Sequence, residues 1–304
     1  LWDESGNLTL EGRDATGTKA VVASGKYEAS KAGIDILKEG GNAVDAAVAV
    51  SFALGVTEPN SSGIGGGGFM TLHSEDGDTI FVNFREKAPG AATPDMWQTD
   101  AEGNVIGNQK SIGGKSVGVP GNVRGMEYIF NEYGSGNVTW EQVLEPAIEL
   151  AEDGYIVTPT LYNDMFSSYD AMVNYQEFGK VYLNDMGLNY QVGETFKNPD
   201  LAKTLKQIAE NGADAFYTGS MAQKIVDTVN KYGGVMTMED LANYQVEVME
   251  PAKGTYRGYQ ILSSPLPSSG GAHVIEALNI MENFDIGEMG FGSLENLHVM
   301  TEAF

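Results

Sequence analysis

The residues of this sequence that offer recognisable chemistry are one arginine and two glycine-rich segments. Arg85 lies in the stretch 84–89, at the end of a run of strand-forming residues, 79–84. A guanidinium at the end of a strand can donate two parallel hydrogen bonds to a carboxylate, which makes Arg85 a candidate for binding a carboxylated ligand. The chain also contains 42 acidic residues, and residue types alone favour an ordinary ion pair between Arg85 and one of them.

Four consecutive glycines at residues 65–68 are the most unusual local feature. Because glycine lets backbone N–H groups approach a ligand closely, such a loop can bind an anion. It is not a phosphate-binding P-loop, since no Gly-Lys-Ser/Thr follows, and it is not a dinucleotide fingerprint, since the predicted order is loop and then strand. We favour a tight corner between a buried helix and a strand that begins at Phe69.

The second glycine-rich segment, residues 265–271, places two serines and two glycines before a predicted helix. Hydroxyls at a helix N-terminus can bind an anion, and Ser268 or Ser269 can be imagined as a nucleophile. However, the segment lacks a Gly-x-Ser-x-Gly elbow, and His273 follows only a few residues later along the same helix. We therefore predict that Ser269 caps the helix.

Composition excludes several classes of function. The 18 basic and 42 acidic residues give a net charge of −24, which repels phosphate backbones, so we predict no nucleic-acid partner. The absence of cysteine removes disulfides, thiolate metal sites and cysteine nucleophiles. The three histidines, His73, His273 and His298, lack metal-ligand spacing, and we predict neither a metal nor another cofactor. The longest apolar run, residues 43–57, is shorter than the ~20 residues that span a membrane, so no membrane span is predicted.

Two helices are predicted to precede the tetraglycine. The first opens at Ser30, carries Ile34 and Leu37 on one face, and ends at the glycine pair that follows. Asn42 is predicted to cap the second, and residues 43–54 are apolar almost all round, which indicates a buried helix.

The strand pattern around Arg85 predicts a β-hairpin. Residues 69–73 and 79–84 are its strands, and the dipeptide Asp76-Gly77 favours a type I′ turn between them. A further short strand is predicted at residues 21–24.

The rest of the chain is mostly helical. A capping box begins at Thr139, and Pro146 is predicted to kink or split the helix that follows. Further helices are predicted to begin at Asn198 and after Ser293, and residues 256–263 have the character of a strand.

This order of elements predicts an α+β fold, with one domain over residues 21–304 and a polar arm over residues 1–20. Because the last predicted helix has no stop signal before Phe304, we expect the domain to be truncated at its C-terminus.

Several motifs together resemble the γ-glutamyltransferase family. Residues 34–49 (IDILKEGGNAVDAAVA) are similar to its opening signature, and GIGGGGFM at 63–70 and FREKAP at 84–89 follow at the family's spacing. Four later motifs fall in the family's order: VGVPG at 117–121, EPAI at 145–148, TYRGY at 255–259 and PSSGG at 267–271. The resemblance extends over nearly the whole chain.

The resemblance implies an αββα sandwich of the N-terminal-nucleophile hydrolase class, of which this chain is an incomplete, large-subunit part. Precursors of the family cleave themselves, and the new N-terminal threonine of the small subunit is the nucleophile, with its own amine as base. The implied partners are that small subunit and a γ-glutamyl compound such as glutathione, and no catalytic residue is expected in this chain. Arg85 matches the family arginine that holds the α-carboxylate of the substrate.

Three functions remain open at this point. The first is γ-glutamyl transfer or hydrolysis. The second is a related acylase or amidohydrolase acting on poly-γ-glutamate, glutaryl-cephalosporin or oxamate-type amides, and the third is a non-catalytic binding module of the same fold. The isolated chain is expected to be inactive, and the lack of cysteine together with the resemblance favours a periplasmic or secreted location.

Overall fold

A computed structural model describes residues 14–304 of the chain. Within this range the fold combines fourteen α-helices with seven strands. The helices are α1 (Tyr27–Lys38), α2 (Ala43–Thr57), α3 (Asn122–Tyr133), α4 (Trp140–Asp153), α5 (Pro159–Ser167), α6 (Tyr169–Asn174), α7 (Gln176–Tyr182), α8 (Pro199–Asn211), α9 (Asp214–Tyr217), α10 (Gly219–Lys231), α11 (Met238–Ala242), α12 (Gly270–Met281), α13 (Ile286–Met289) and α14 (Leu294–Ala303). The strands are β1 (Phe69–His73), β2 (Thr79–Asn83), β3 (Tyr155–Ile156), β4 (Thr195–Phe196), β5 (Glu247–Met249), β6 (Ala252–Tyr256) and β7 (Tyr259–Ser263).

The predicted N-terminal arm over residues 1–20 lies largely outside the described residues. Residues 14–20 are exposed and belong to no helix or strand. The strand predicted at 21–24 is wrong: these residues alternate between exposed and half-buried, as strand residues do, but they pair with no other strand among the described residues. Alternation alone does not make a strand, because the ladder needs a hydrogen-bonded neighbour.

The described residues form two compact units. The first consists of the described part of Leu1–Gly67 together with Glu86–Tyr244 and contains helices α1–α11 with the short β3–β4 pair. The second consists of Gly68–Arg85 and Gln245–Phe304 and contains the remaining strands with α12–α14.

The first unit is built around a stack of helices in which α1 packs on α2, α2 on α4, and α4 on α8. Its α1 begins at Tyr27, three residues before the predicted start, and its buried face differs from the predicted one. Ile34 and Leu37 are only half-buried. The buried positions are Ala29, Ala32, Gly33 and Ile36, of which the first three have a small side chain or none. Small side chains allow α1 to approach α2 closely, since a Cβ on Gly33 would lie 2.7 Å from Val50 Cγ2.

The buried helix α2 is confirmed, as is its cap. Asn42 Oδ1 accepts the backbone N–H groups of Val44 at 2.9 Å and Asp45 at 3.0 Å, and Asp45 Oδ2 accepts Asn42 N–H at 2.8 Å. The Asp45 side chain is fully buried and also accepts Ser135 N–H at 3.1 Å. Asp45 thereby joins the start of α2 to the loop that follows α3.

The predicted split at Pro146 does not occur, because α4 continues through this proline to Asp153. Proline removes the bond to the carbonyl of Gln142, four residues earlier, but Gln142 is exposed and water can hydrate that carbonyl. On the opposite face, Val143, Leu144 and Ala147 are buried and hold the helix against its neighbours.

The second unit contains an antiparallel sheet with the strand order β1–β2–β5. The predicted hairpin is confirmed, with Phe69 opposite Asn83 and His73 opposite Thr79. Its turn is not type I′, because only Gly77, at φ 89°, has a positive φ there, whereas type I′ needs two such residues.

A second hairpin, β6–β7, lies where a single strand was predicted at 256–263. Its two turn residues, Arg257 at φ 49° and Gly258 at φ 82°, are both left-handed, which is the geometry of a type I′ turn. Helix α12 packs on β6 of this hairpin. None of the helices in residues 14–304 has both the length and the apolar character needed to cross a membrane.

Candidate functional site

Arg85 stands two residues beyond the end of β2, in the second unit. The ladder between β1 and β2 extends one pair further than the strands themselves, because Phe84 N–H donates to Gly68 O at 3.0 Å and Gly68 N–H donates to Phe84 O at 3.3 Å. The Phe84 side chain is buried, whereas Arg85 is exposed. The hydrogen bonds of the sheet therefore hold the chain up to Phe84, and Arg85 is the first residue beyond them.

The backbone of Arg85 is held by a side chain two residues earlier. Arg85 N–H donates to Asn83 Oδ1 at 3.0 Å, and Asn83 Nδ2 donates to Glu247 Oε2 on β5 at 3.2 Å. Asn83 is buried, and both ends of its amide are used in these hydrogen bonds. This arrangement links Arg85 to β5 through one buried amide.

The guanidinium of Arg85 lies over an aromatic ring. Its Cζ is 5.9 Å from the centroid of Phe69, which in turn packs against Phe81 at 5.3 Å between centroids. A cation over a ring face gains electrostatic attraction, and a flat guanidinium has the planar geometry that pairs with a carboxylate. Chemically, this position suits recognition of a carboxylate.

The glycine loop before β1 is held to the segment that opens α3, and both belong to the first unit up to Gly67. Gly66 O accepts N–H groups from Gly121 at 2.8 Å and Asn122 at 2.9 Å, and the buried Asn122 donates through Nδ2 to Gly63 O at 3.1 Å. Gly66 N–H donates back to Gly63 O at 3.1 Å. The loop therefore makes a tight internal corner, in agreement with the interpretation favoured from the sequence.

The serine segment 265–271 lies in the second unit and does not behave as predicted. Ser269 is the residue before α12, but its backbone is already helical, at φ −77° and ψ −14°, and its side chain makes no capping hydrogen bond. The cap prediction for Ser269 is therefore wrong, because an N-cap hydroxyl reaches the helix N–H groups from extended backbone. Ser268 Oγ instead accepts Gly270 N–H at 3.2 Å.

The first hairpin contains one of the three histidines. His73 Nδ1 is bonded to Thr79 Oγ1 at 2.7 Å across the first hairpin. No group of three or more His, Asp or Glu side chains in these residues is placed to hold a metal ion.

Sequence reasoning identified Arg85 and missed the two residues that connect it to the sheet. Asn83 carried a local signal, since Asn often accepts the backbone N–H two residues on. Glu247 carried none, because its contact with Asn83 joins residues 164 positions apart. The buried Asn122 was likewise missed, although it lies directly after the motif at 117–121.

Comparison with known proteins gives a consistent result. A family profile described as gamma-glutamyltranspeptidase matches residues 29–304. The glutathione hydrolase proenzyme of Escherichia coli K12 is 43% identical over 285 residues, which are 94% of this chain and 49% of the relative. The acylase ACY 1 proenzyme of Pseudomonas sp. SE83 is 38% identical over 304 residues, 98% of this chain and 54% of the relative.

The fold is also shared with a solved structure. The crystal structure of Helicobacter pylori gamma-glutamyltranspeptidase superposes with a TM-score of 0.91 at 42% identity, covering 95% of this chain and 82% of the solved chain. The chain spans about half the length of the curated relatives it matches.

Proposed function

Since the chain belongs to the γ-glutamyltranspeptidase family, as its large-subunit portion, we propose that the protein transfers or hydrolyses the γ-glutamyl group of glutathione-like amides. The observation that carries the proposal is the position of Arg85, which follows the β1–β2 ladder, is tied to Asn83 and lies over Phe69.

In the proposed reaction, the threonine at the N-terminus of a small subunit from the same precursor attacks the γ-carbonyl of the substrate. Its α-amine takes the hydroxyl proton and passes it to the leaving amine, while the C–N bond breaks and a γ-glutamyl ester of the threonine forms. Water or an acceptor amine then attacks this ester and releases the threonine. Fixed hydrogen-bond donors of the small subunit stabilise the oxyanion in both steps.

Arg85 supplies recognition in this scheme. Its guanidinium binds the α-carboxylate of the glutamyl group through two parallel hydrogen bonds. Anchoring that end sets how far the γ-carbonyl reaches, so the carbonyl arrives at the threonine in a reactive position. Arg85 itself takes no part in bond breaking.

The test is the kinetics of Arg85→Lys and Arg85→Ala in the processed enzyme with γ-glutamyl-p-nitroanilide. Hydrogen bonds to a charged group contribute about 1.5–3 kcal/mol, so losing the bidentate contact is expected to raise KM about 10- to 100-fold. Lysine keeps the charge but cannot make the planar pair, so Arg85→Lys is expected to retain only part of the affinity.

Arg257→Lys is the matched control. Arg257 is also an exposed arginine of the second unit whose guanidinium lies over a ring, 5.3 Å from the centroid of Tyr256. This substitution is expected to leave KM unchanged. A wild-type KM for Arg85→Ala would refute the assignment of Arg85.

A second candidate function is supported by the relative named as an acylase, which matches 98% of this chain. An acylase acting on a glutaryl amide would use the same nucleophile but would meet a substrate without an α-amino group. Parallel assays with γ-glutamyl-p-nitroanilide, a glutaryl amide and an oxamate-type amide separate the two functions. A precursor that never cleaves itself and turns over none of these amides would favour a non-catalytic binding module of the same fold.

We also propose the wider features of the family for this protein. The complete fold is an αββα sandwich of the N-terminal-nucleophile hydrolase class, and the α+β content and the likeness to a solved family member support this. The protein acts as a heterodimer processed from one precursor in the periplasm or outside the cell, and the isolated chain is inactive. Mass spectrometry of the expressed precursor tests the cleavage.

A further inference from the structure

We propose that Asn83 is a positioning residue for Arg85, acting through the Arg85 backbone to aim the guanidinium at the substrate carboxylate. The inference rests on the proposed role of Arg85 in γ-glutamyl binding. It assigns a specific task to a buried amide that makes no contact with the substrate itself.

The need for such a residue follows from the geometry of the sheet. Phe84 directs its N–H and C=O towards β1, where both are bonded to Gly68. Backbone groups of successive strand residues face opposite sides, so the N–H of Arg85 faces the β5 side. The strand β5 begins at Glu247, opposite Asn83, so its ladder with β2 ends two residues before Arg85.

The side chain of Asn83 supplies the hydrogen-bond acceptor that a β5 residue opposite Arg85 would otherwise provide. Its Oδ1 accepts Arg85 N–H at 3.0 Å, closing a side-chain turn of the kind that Asn favours. Its Nδ2 donates to Glu247 Oε2 at 3.2 Å, which fixes the orientation of the amide. Since Asn83 is only 7% exposed, water competes little for either hydrogen bond.

The consequence for binding comes from the length of the arginine side chain. A small rotation of the backbone at Arg85 is amplified along the side chain to the guanidinium, and a misplacement of about 1 Å in a positioning group can cost ~100-fold in rate. The bond from Asn83 limits that rotation, while Phe69 supports the guanidinium at its far end. The backbone and the guanidinium of Arg85 are therefore both held in position before the substrate binds.

The experiment compares Asn83→Leu, Asn83→Ser and Arg85→Ala in the processed enzyme, each assayed for KM and kcat with γ-glutamyl-p-nitroanilide. Leucine has a similar volume but no acceptor, so Asn83→Leu is expected to raise KM about tenfold, the equivalent of one hydrogen bond of ~1.4 kcal/mol. Serine can accept the same N–H more weakly, so Asn83→Ser is expected to rescue part of the affinity.

A merely structural role is separated by two further measurements. In an Arg85→Ala background, Asn83→Leu is expected to cause no further rise in KM, because the residue acts only through Arg85. The control Asn184→Leu removes a similar turn elsewhere, in which Asn184 Oδ1 accepts Met186 N–H at 3.0 Å, and it is expected to leave KM unchanged.

The two proposals fail in different ways. If Arg85→Ala leaves KM at the wild-type value, the proposed role of Arg85 is wrong. If Arg85→Ala raises KM but Asn83→Leu does not, or if the two effects multiply in the double variant, the positioning role of Asn83 is overturned while that of Arg85 stands.

Discussion

Loss of the Asp45 side chain should weaken the first unit. Its carboxylate is fully buried at the start of α2 and accepts two backbone N–H groups, from Asn42 at 2.8 Å and from Ser135 at 3.1 Å. The Ser135 bond reaches across 90 positions of sequence, so Asp45 both caps a helix and ties a distant loop to it. We consider the substitutions Asp45→Ala and Asp45→Asn.

The expected loss of stability follows from the number of backbone N–H groups left without an acceptor. Alanine removes the acceptor of both N–H groups, which belong to half-buried residues. An orphaned donor costs about 1–3 kcal/mol when buried and less when water reaches it, so Asp45→Ala is expected to lower the free energy of unfolding by up to about 6 kcal/mol. Asparagine keeps one oxygen, and that oxygen can replace Oδ2, which accepts both N–H groups. Asp45→Asn loses mainly the negative charge at the helix N-terminus, worth up to ~2 kcal/mol when partly buried.

Equilibrium urea unfolding measures the effect as a shift in midpoint at constant slope. The matched control is Gln142→Ala, which removes the equivalent residue of another capping box. Gln142 Oε1 accepts Thr139 N–H at 2.8 Å, but both residues are exposed and water replaces the bond, so a loss of about 0.5 kcal/mol is expected. An equal loss of unfolding free energy in Asp45→Ala and Gln142→Ala, or in Asp45→Ala and Asp45→Asn, would contradict this role of Asp45.

Two further predictions concern the same unit. Gly33→Ala should destabilise the protein by about 1–3 kcal/mol, because the new methyl would lie 2.7 Å from Val50 Cγ2, and combining it with Val50→Ala should restore most of the loss in urea unfolding. Burial raises the pKa of the Tyr155 phenol, whose hydroxyl donates to Val56 O at 2.6 Å. As the pH rises above ~10, this tyrosine therefore loses its proton more readily in the unfolded chain than in the folded one, and the free energy of unfolding falls. Between pH 9 and pH 11, a range that brackets the ordinary tyrosine pKa of ~10, Tyr155→Phe should therefore lose less unfolding free energy than the wild type. An equal loss in both proteins would contradict this prediction.

Features formed by residues that are close together in the sequence could be predicted from the sequence alone. The caps predicted at Asn42 and Thr139 and the helix start predicted at Asn198 are confirmed, since each of these side chains accepts an N–H only two or three positions away. The hairpin before Arg85 is confirmed for the same reason, because its strands are joined by a short turn. The ordered motifs identified the family, and with it Arg85 as the candidate for substrate binding.

The features missed were those with weak or misleading local signals. The turn at Arg257 and Gly258 was overlooked because arginine is not a residue that marks a type I′ turn, although its φ of 49° shows that it adopts one. The short strand β5 had no pattern of its own and forms only because β2 offers it an edge.

The sequence by itself determined the family, the order of the main helices and the arginine that we propose binds a carboxylate. Only the tertiary structure decided how that residue is held, because Asn83 is fixed by Glu247, which lies 164 positions away. Hydrogen bonds between near neighbours are encoded by a few adjacent residues. A bond across the sheet exists only once the packing of buried groups such as Phe81 has brought β2 and β5 together.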